Sequence, residues 1–298
     1  MSRIRIGTRG SALALWQAKH VEAGLSALGH EIELRAIATT GDRLLDRRLE
    51  AVGGKGAFLK EIEEALQAGE VDLAVHSLKD VPTALPAGLT LCAILERADP
   101  RDALLSAGKR LGELPKGARV GTTSLRRQAQ LRAARADLIP ADLRGNVDTR
   151  LRRLHEGRFD AILLAMAGLA RLGRAGEVTE VLDPREFVPA PGQGAIALEC
   201  RDEDDAVRGA VAALDHAPTA RAVAAERAFL AALGGGCNVP LGAHAFAVDG
   251  SLELVAFVAS IDGTAFLRGE RRGSDSAALG RALADELRAR GADALLGR

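Results

Sequence analysis

Three cysteines occur in the 298 residues, and Cys237 follows three consecutive glycines in "ALGGGCNVPLGAH". Gly234, Gly235 and Gly236 cost backbone entropy and bring no side chain to pack, so they point to a turn and a close approach. Cys92 in "LTLCAIL" and Cys200 in "AIALEC" sit in apolar strand-like runs, where structural thiols belong. A catalytic thiol needs a base, and His244 is the one imidazole near Cys237 in the sequence.

Cationic side chains form the second group. Arginines number 34 against six lysines, an imbalance that a G+C-rich genome produces without function, so their positions carry more than their count. Arg9 and Ser11 fall where a strand turns into a helix. Thr122, Thr123, Ser124, Arg126 and Arg127 fall at another such turn. Arg144 lies in the "LRGN" turn, Asn146 is the expected cap of the next helix, and Arg150 is one turn on. Arg171 follows a further strand-to-helix junction. Helix N-termini present N–H groups and a positive dipole end, and guanidinium groups beside them suit a polycarboxylate or phosphate ligand. The plainer alternative for each is a solvated arginine.

A third group is "VHSLKDVP", with Asp80 beside Lys79 in a loop stiffened by Pro82. A carboxylate there can stabilise a cation or move protons, or it can simply cap a turn. His76 reads as a packed core residue, because no second His or Cys lies at metal-ligand spacing.

The elements that must position these groups alternate. Strand "RIRIGTR", a helix capped by Ser11, strand "EIELRAIAT", helix "FLKEIEEALQAG" and strands "VDLAVHS" and "TLCAILE" predict an α/β lobe with a mostly parallel sheet. The layout restarts at "ARVGTTSLRRQAQLRAA" and continues through "NVDTRLRRLHEG" to "FDAILLAMAGLARLG", a second lobe of similar design. "PAPGQGAIALEC" supplies a hinge and a strand that can return to the first lobe. The fold class expected is α/β, with two lobes of the solute-binding-protein type and a small C-terminal α+β domain of three antiparallel strands with helices. The expected boundaries are 1–96 with 195–214, then 97–194, then 215–298.

Composition narrows the function. Lys+Arg and Asp+Glu both number 40, so no net field favours nucleic acid or an anionic membrane. No apolar run is long enough to span a bilayer, and the start of the chain lacks a secretory signal pattern. Three cysteines make no disulfide framework, and the expected compartment is the reducing cytoplasm. "PGQGAIA" precedes a strand instead of following one, so it fails as a dinucleotide site, and "GGKGAF" lacks the spacing of a phosphate-binding loop.

The blocks "GTRGSALALWQA", "VGGKGAFLKEIEEAL", "VDLAVHSLKDVP", "RADPRDALLS", "GTTSLRRQAQL", "LRGNVDTRLRRL", "DAILLAMAGLARLG", "PGQGAIALEC" and "GGGCNVPLGA" resemble the porphobilinogen deaminase family. They run in register from about residue 3 to 245, and the C-terminal part fits in outline. The resemblance implies a dipyrromethane cofactor joined by a thioether to Cys237, so that this thiol is an anchor needing no base. It implies that four porphobilinogen units are joined head to tail with loss of ammonia, and that water releases hydroxymethylbilane. Asp80 and Lys79 then take the catalytic positions. The cofactor-binding positions fall on Cys237, Arg9, Ser11, Lys79, Asp80, Thr123, Ser124, Arg126, Arg127, Arg144, Gly145 and Arg150. The substrate-binding positions fall on Arg9, Gln17, Arg144, Arg150, Arg171 and Gln193. Hinges are expected near 95–100 and 188–195, with a cover over 42–57. No metal, nucleic acid or membrane partner is implied, and a monomer is expected. Gly10, Ala12 and Asn238 depart from the pattern of many relatives, with small expected effect.

Overall fold

The computed structural model describes residues 3–40, 59–236 and 239–297. In chain order, β1 (Arg3–Arg9), α1 (Ala12–Ala27), β2 (Glu31–Ile37), α2 (Lys60–Gln67), β3 (Leu73–Ser77) and β4 (Leu89–Ile94) come first. Next are β5 (Asp102–Ser106), β6 (Arg119–Gly121), α3 (Leu125–Ala134), β7 (Ile139–Ala141), α4 (Val147–His155), β8 (Ala161–Ala165), α5 (Met166–Arg171) and β9 (Glu180–Val181). Then follow β10 (Ile196–Arg201), α6 (Asp205–Val211) and α7 (Ala217–Ala232). The chain closes with β11 (Leu241–Val248), β12 (Ser251–Ala259), β13 (Phe266–Gly273), α8 (Ser276–Ala289) and α9 (Ala292–Leu295).

Two compact units result, residues 1–98 with 195–220 and residues 99–194 with 221–298. The first contains a five-stranded sheet in the order β2-β1-β3-β10-β4. Its apolar core sets Ile4, Ile6, Val75, Ile196 and Leu198 against Val21 and Leu25 of α1 and Val207 and Val211 of α6. The sheet is mixed, not mostly parallel. β1 pairs parallel with β2 and β3, whereas β10 pairs antiparallel with both β3 and β4. No crossover helix joins β10 to its neighbours, because the chain reaches it after leaving this unit at residue 98. The parallel geometry imposed by a βαβ connection therefore does not apply.

The second unit repeats the strand order, β7-β6-β8-β5-β9, with β5 antiparallel to β8 and β9. β5 occupies the place that β10 takes in the first sheet. Sequence pattern misses β5, because "DALLS" is too short to show a period and opens on an acidic residue. The same unit carries the antiparallel sheet β11-β12-β13, in full register through both hairpins. α8 covers this sheet with Leu279, Leu283 and Leu287, which pack among Phe229 of α7 and Leu254 and Val258 of β12. Each such leucine contributes about 2 kcal/mol of burial. α7 and α8 approach so closely that a Cβ on Gly280 would lie 2.3 Å from the Ala225 carbonyl oxygen.

Candidate active site

In the first unit the β1–α1 turn is shaped by Ser11, whose Oγ accepts a hydrogen bond from the Ala14 backbone N–H at 3.3 Å. One pocket there is lined by Arg9, Ser11, Gln17, His76, Ser77 and Asp80, with apolar walls from Leu13, Leu59 and Val75. Gln17 is buried and its Nε2 donates to Ser77 Oγ at 2.9 Å, tying α1 to the end of β3. Asp80 closes a single 3-10 turn, Leu78–Asp80, held by the Val81 N–H to the Leu78 carbonyl. Both Asp80 and Lys79 are half-buried, and Lys79 is not among the pocket-lining residues. His76 is a core residue, as its position in an apolar strand suggests, but its ring is bonded to a carboxyl group. Its Nε2 lies 3.0 Å from Oε2 of Glu199, which is fully buried on β10.

In the second unit the β6–α3 turn repeats the plan, with Ser124 Oγ accepting from the Arg127 N–H at 3.4 Å. Thr122 is buried and its Oγ1 accepts from the Ser124 N–H; Thr123 is half-buried beside it. Arg126 and Arg127 are not solvated, being 5% and 6% exposed. Arg127 donates from Nε and Nη2 to Asp102 Oδ1 at 3.0 and 2.7 Å, and Arg126 Nη1 lies 2.7 Å from Oδ2. Burial would raise the Asp102 carboxyl, but the two guanidinium groups outweigh it and hold it well below the usual carboxylate range. Burial also lowers the Arg126 guanidinium. Gln193 joins the cluster through Nε2, which donates to Asp102 Oδ1 at 3.0 Å and to the Pro100 carbonyl at 2.7 Å.

Two guanidinium groups thus face one carboxylate, leaving one positive charge in excess. Arg144 is half-buried in the turn before α4, which Asn146 caps through Oδ1. Arg150 Nε returns to the Gly145 carbonyl at 2.7 Å. Gly145 has φ +101°, and a Cβ there would meet Thr149 Cγ2 at 2.7 Å, so this turn requires glycine. Arg171 ends α5 and donates to the Gly194 carbonyl; burial brings its pKa down to about 10.

Cys237 and the segment 42–57 lie outside the described residues. The glycines before Cys237 have a local explanation. Gly234, at φ +55°, and Gly235 end α7 with N–H groups bonded to the Ala231 and Leu230 carbonyls. This double bond is the Schellman arrangement. A Cβ on Gly235 would lie 2.5 Å from Leu230 Cδ1 of α7 and 3.0 Å from Leu241 Cδ2 of β11, so this position has room only for glycine.

Sequence reasoning missed Asp102 and Glu199. Each is an acidic residue in an otherwise apolar strand, and a buried carboxylate needs a partner, so that oddity was the available signal. Among the described residues no group of three or more His, Cys, Asp or Glu could hold a metal ion.

Residues 4–209 match the family model "Porphobilinogen deaminase, dipyromethane cofactor binding domain", and residues 220–289 match "Porphobilinogen deaminase, C-terminal domain". The chain belongs to the porphobilinogen deaminase family. The porphobilinogen deaminase of Syntrophobacter fumaroxidans is 54% identical over 298 residues, covering 98% of this chain and 96% of that protein. That of Trichlorobacter lovleyi is 53% identical, covering 99% and 96%. Among solved structures, a putative lipoprotein from Actinomyces odontolyticus covers 72% of this chain and 90% of its own, at 14% identity and a TM-score of 0.45. The methionine-binding protein MetQ covers 76% and 94%, at 14% identity and a TM-score of 0.45.

The donor set suits the dipyrromethane of the family's cofactor binding domain. Pyrrole acetates and propionates are carboxylates, and the Arg126–Arg127–Asp102 cluster carries the uncompensated cation that such a group would balance.

Proposed function

We propose that this chain is a hydroxymethylbilane synthase that joins four porphobilinogen molecules head to tail, with loss of ammonia, and releases the linear tetrapyrrole by hydrolysis. The reading rests above all on one observation, the half-buried Asp80 carboxylate in a pocket that also presents Arg9 and Ser11. A covalently held dipyrromethane on Cys237 supplies the free pyrrole carbon at which the first unit is joined.

The chain's own residues divide the remaining work. Asp80 accepts pyrrole N–H groups and stabilises the positive charge that develops as ammonia leaves. Lys79 adjoins it. Arg9, Ser11 and Gln17 in the first unit, and Thr123, Ser124, Arg126, Arg127, Arg144, Gly145 and Arg150 in the second, are the carboxylate-binding set, with Arg171 and Gln193 toward the incoming substrate. Asp102 consumes part of the charge on Arg126 and Arg127, which fixes their direction and leaves one unit for the ligand. The reading includes a three-domain division at 96/97, 194/195 and 214/215 and a cytoplasmic monomer that engages neither nucleic acid nor membrane. No helix among the described residues is long and apolar enough to cross a bilayer.

The test is intact-protein mass spectrometry of the purified chain with a Cys237→Ser control. An added mass of two linked pyrroles, absent from the control, is expected. An unmodified thiol that stays unmodified after porphobilinogen is added would overturn the reading.

A further inference from the structure

His76 and Glu199 are diagonal neighbours on adjacent antiparallel strands, with His76 opposite Ala197 and Glu199 opposite Ala74. Ile62 and Leu66 of α2 pack on Ala74 at this part of the sheet. Glu199 is fully buried, and its Oε1 meets no donor among the described residues, so the His76 ring at Oε2 is what holds this carboxylate. Glu63 of α2 lies close enough to feel both groups. Its own carboxyl is pushed up, first by burial and then by Glu199.

A buried carboxylate bonded to one ring nitrogen fixes the tautomer and orientation of that ring. With Glu199 as the acceptor, Nε2 carries a hydrogen toward it. Nδ1 is then the one polar ring atom that His76 can offer the pocket it lines, in company with Arg9 from β1 and Asp80 beyond β3. No role for this ring follows from holding carboxylates.

We infer that His76, oriented by Glu199, is a second proton-handling residue of the condensation. The inference rests on the reading of Asp80 as the carboxylate at the reacting centre. In each condensation the carbon–nitrogen bond to the departing ammonia breaks and a carbon–carbon bond forms at a pyrrole α-carbon. That carbon then loses its hydrogen as a proton, and the C–H electron pair returns to the ring. An ionised Asp80 stabilises the positive charge, and it would lose that ability by taking the proton itself. Nδ1 takes the proton, and ammonia or solvent removes it before the next turn. Among the described residues the charged and titratable groups around the ring are Glu199 from β10, Glu63 from α2, Arg9 from β1, and Asp80 with its neighbour Lys79.

The experiment compares wild type, His76→Gln, Glu199→Gln and Asp80→Asn on porphobilinogen carrying deuterium or hydrogen at the free α-carbon. His76→Gln is expected to lower kcat at least about tenfold with KM changed less than about threefold, and to raise the isotope effect on kcat to about 3 or more. Glu199→Gln is expected to act in the same direction, and a further protein carrying both His76→Gln and Glu199→Gln to be no worse than His76→Gln. Nitrogen-15 spectra of the purified wild-type protein are expected to show hydrogen on Nε2 of His76, a preference lost in Glu199→Gln. A normal kcat in His76→Gln overturns the inference, as does a slow variant whose isotope effect does not grow. Bare Nε2 in the folded wild type overturns it too, whether or not either variant folds. Asp80→Asn separates the two readings. If it stays active, the Asp80 reading fails; if it is inactive while His76→Gln is normal, only this inference fails.

Discussion

The two strand-to-helix turns share a cap and differ in what they do with charge. Ser11 and Ser124 occupy the same position and accept from the N–H three residues on. Behind the first turn a half-buried carboxylate, Asp80, stands in a pocket, while the fully buried acid, Glu199, sits on another strand bonded to His76. Behind the second turn the carboxylate is fully buried as Asp102 and is spent on holding two arginines. One plan thus leaves a half-buried acid lining a pocket in one unit and a buried cationic cluster in the other. The deciding feature is the depth at which the acid sits.

The largest effect should come from the side with the pocket. Asp80→Asn keeps the size and the turn but removes the charge, so turnover of porphobilinogen should fall on the order of 10²–10⁴-fold. The thermal midpoint should stay near wild type, because Asp80 is half-buried and its turn is held by backbone. A variant whose activity and stability fell together would make Asp80 a structural residue and erase the contrast with Asp102.

Asp102→Asn should show the reverse pattern. It leaves two buried guanidinium groups facing a neutral amide, and breaking a buried ion pair in this way costs about 3–5 kcal/mol. Urea unfolding measures this directly. The pH dependence follows from the same pairing. The folded Asp102 carboxyl titrates below its ordinary 3.8, so its stabilisation is complete above that value and is lost as the pH falls below it. Urea midpoints from about pH 7 down to about pH 3 should therefore drop more steeply in wild type than in Asp102→Asn. Parallel curves would show that the arginines do not depend on this acid.

Most of this arrangement was legible in the sequence because turn chemistry is local. Ser11, Ser124 and Asn146 cap the helices that their spacing indicated. The partners of those groups were not legible. Asp102 meets Arg126 and Arg127 across 24 and 25 residues, and His76 meets Glu199 across 123. Such pairings follow from where β5 and β10 enter their sheets, which no local period encodes. Arg126 and Arg127 were therefore expected to be ligand-binding cations, and the structure shows them as members of a buried ion cluster. The glycines before Cys237 show the converse. Their run pointed to a turn and a close approach, and two of them end α7.

The smallest effect gives the finest test of the likeness between the turns. Ser11→Ala and Ser124→Ala each remove one cap bond of nearly equal length, so each should cost about 1 kcal/mol in urea unfolding. Their effects on catalysis should differ. Ser11 lines the Asp80 pocket, so its loss should raise KM for porphobilinogen as well as lower stability. Ser124 caps the helix that carries Arg126 and Arg127, whose direction is already fixed by Asp102, so its loss should remove only its own contact in the proposed carboxylate-binding set and raise KM less than Ser11→Ala does. Equal changes in KM would mean that Asp102 does not hold the arginines independently of the helix end, and the division between the two turns would fail.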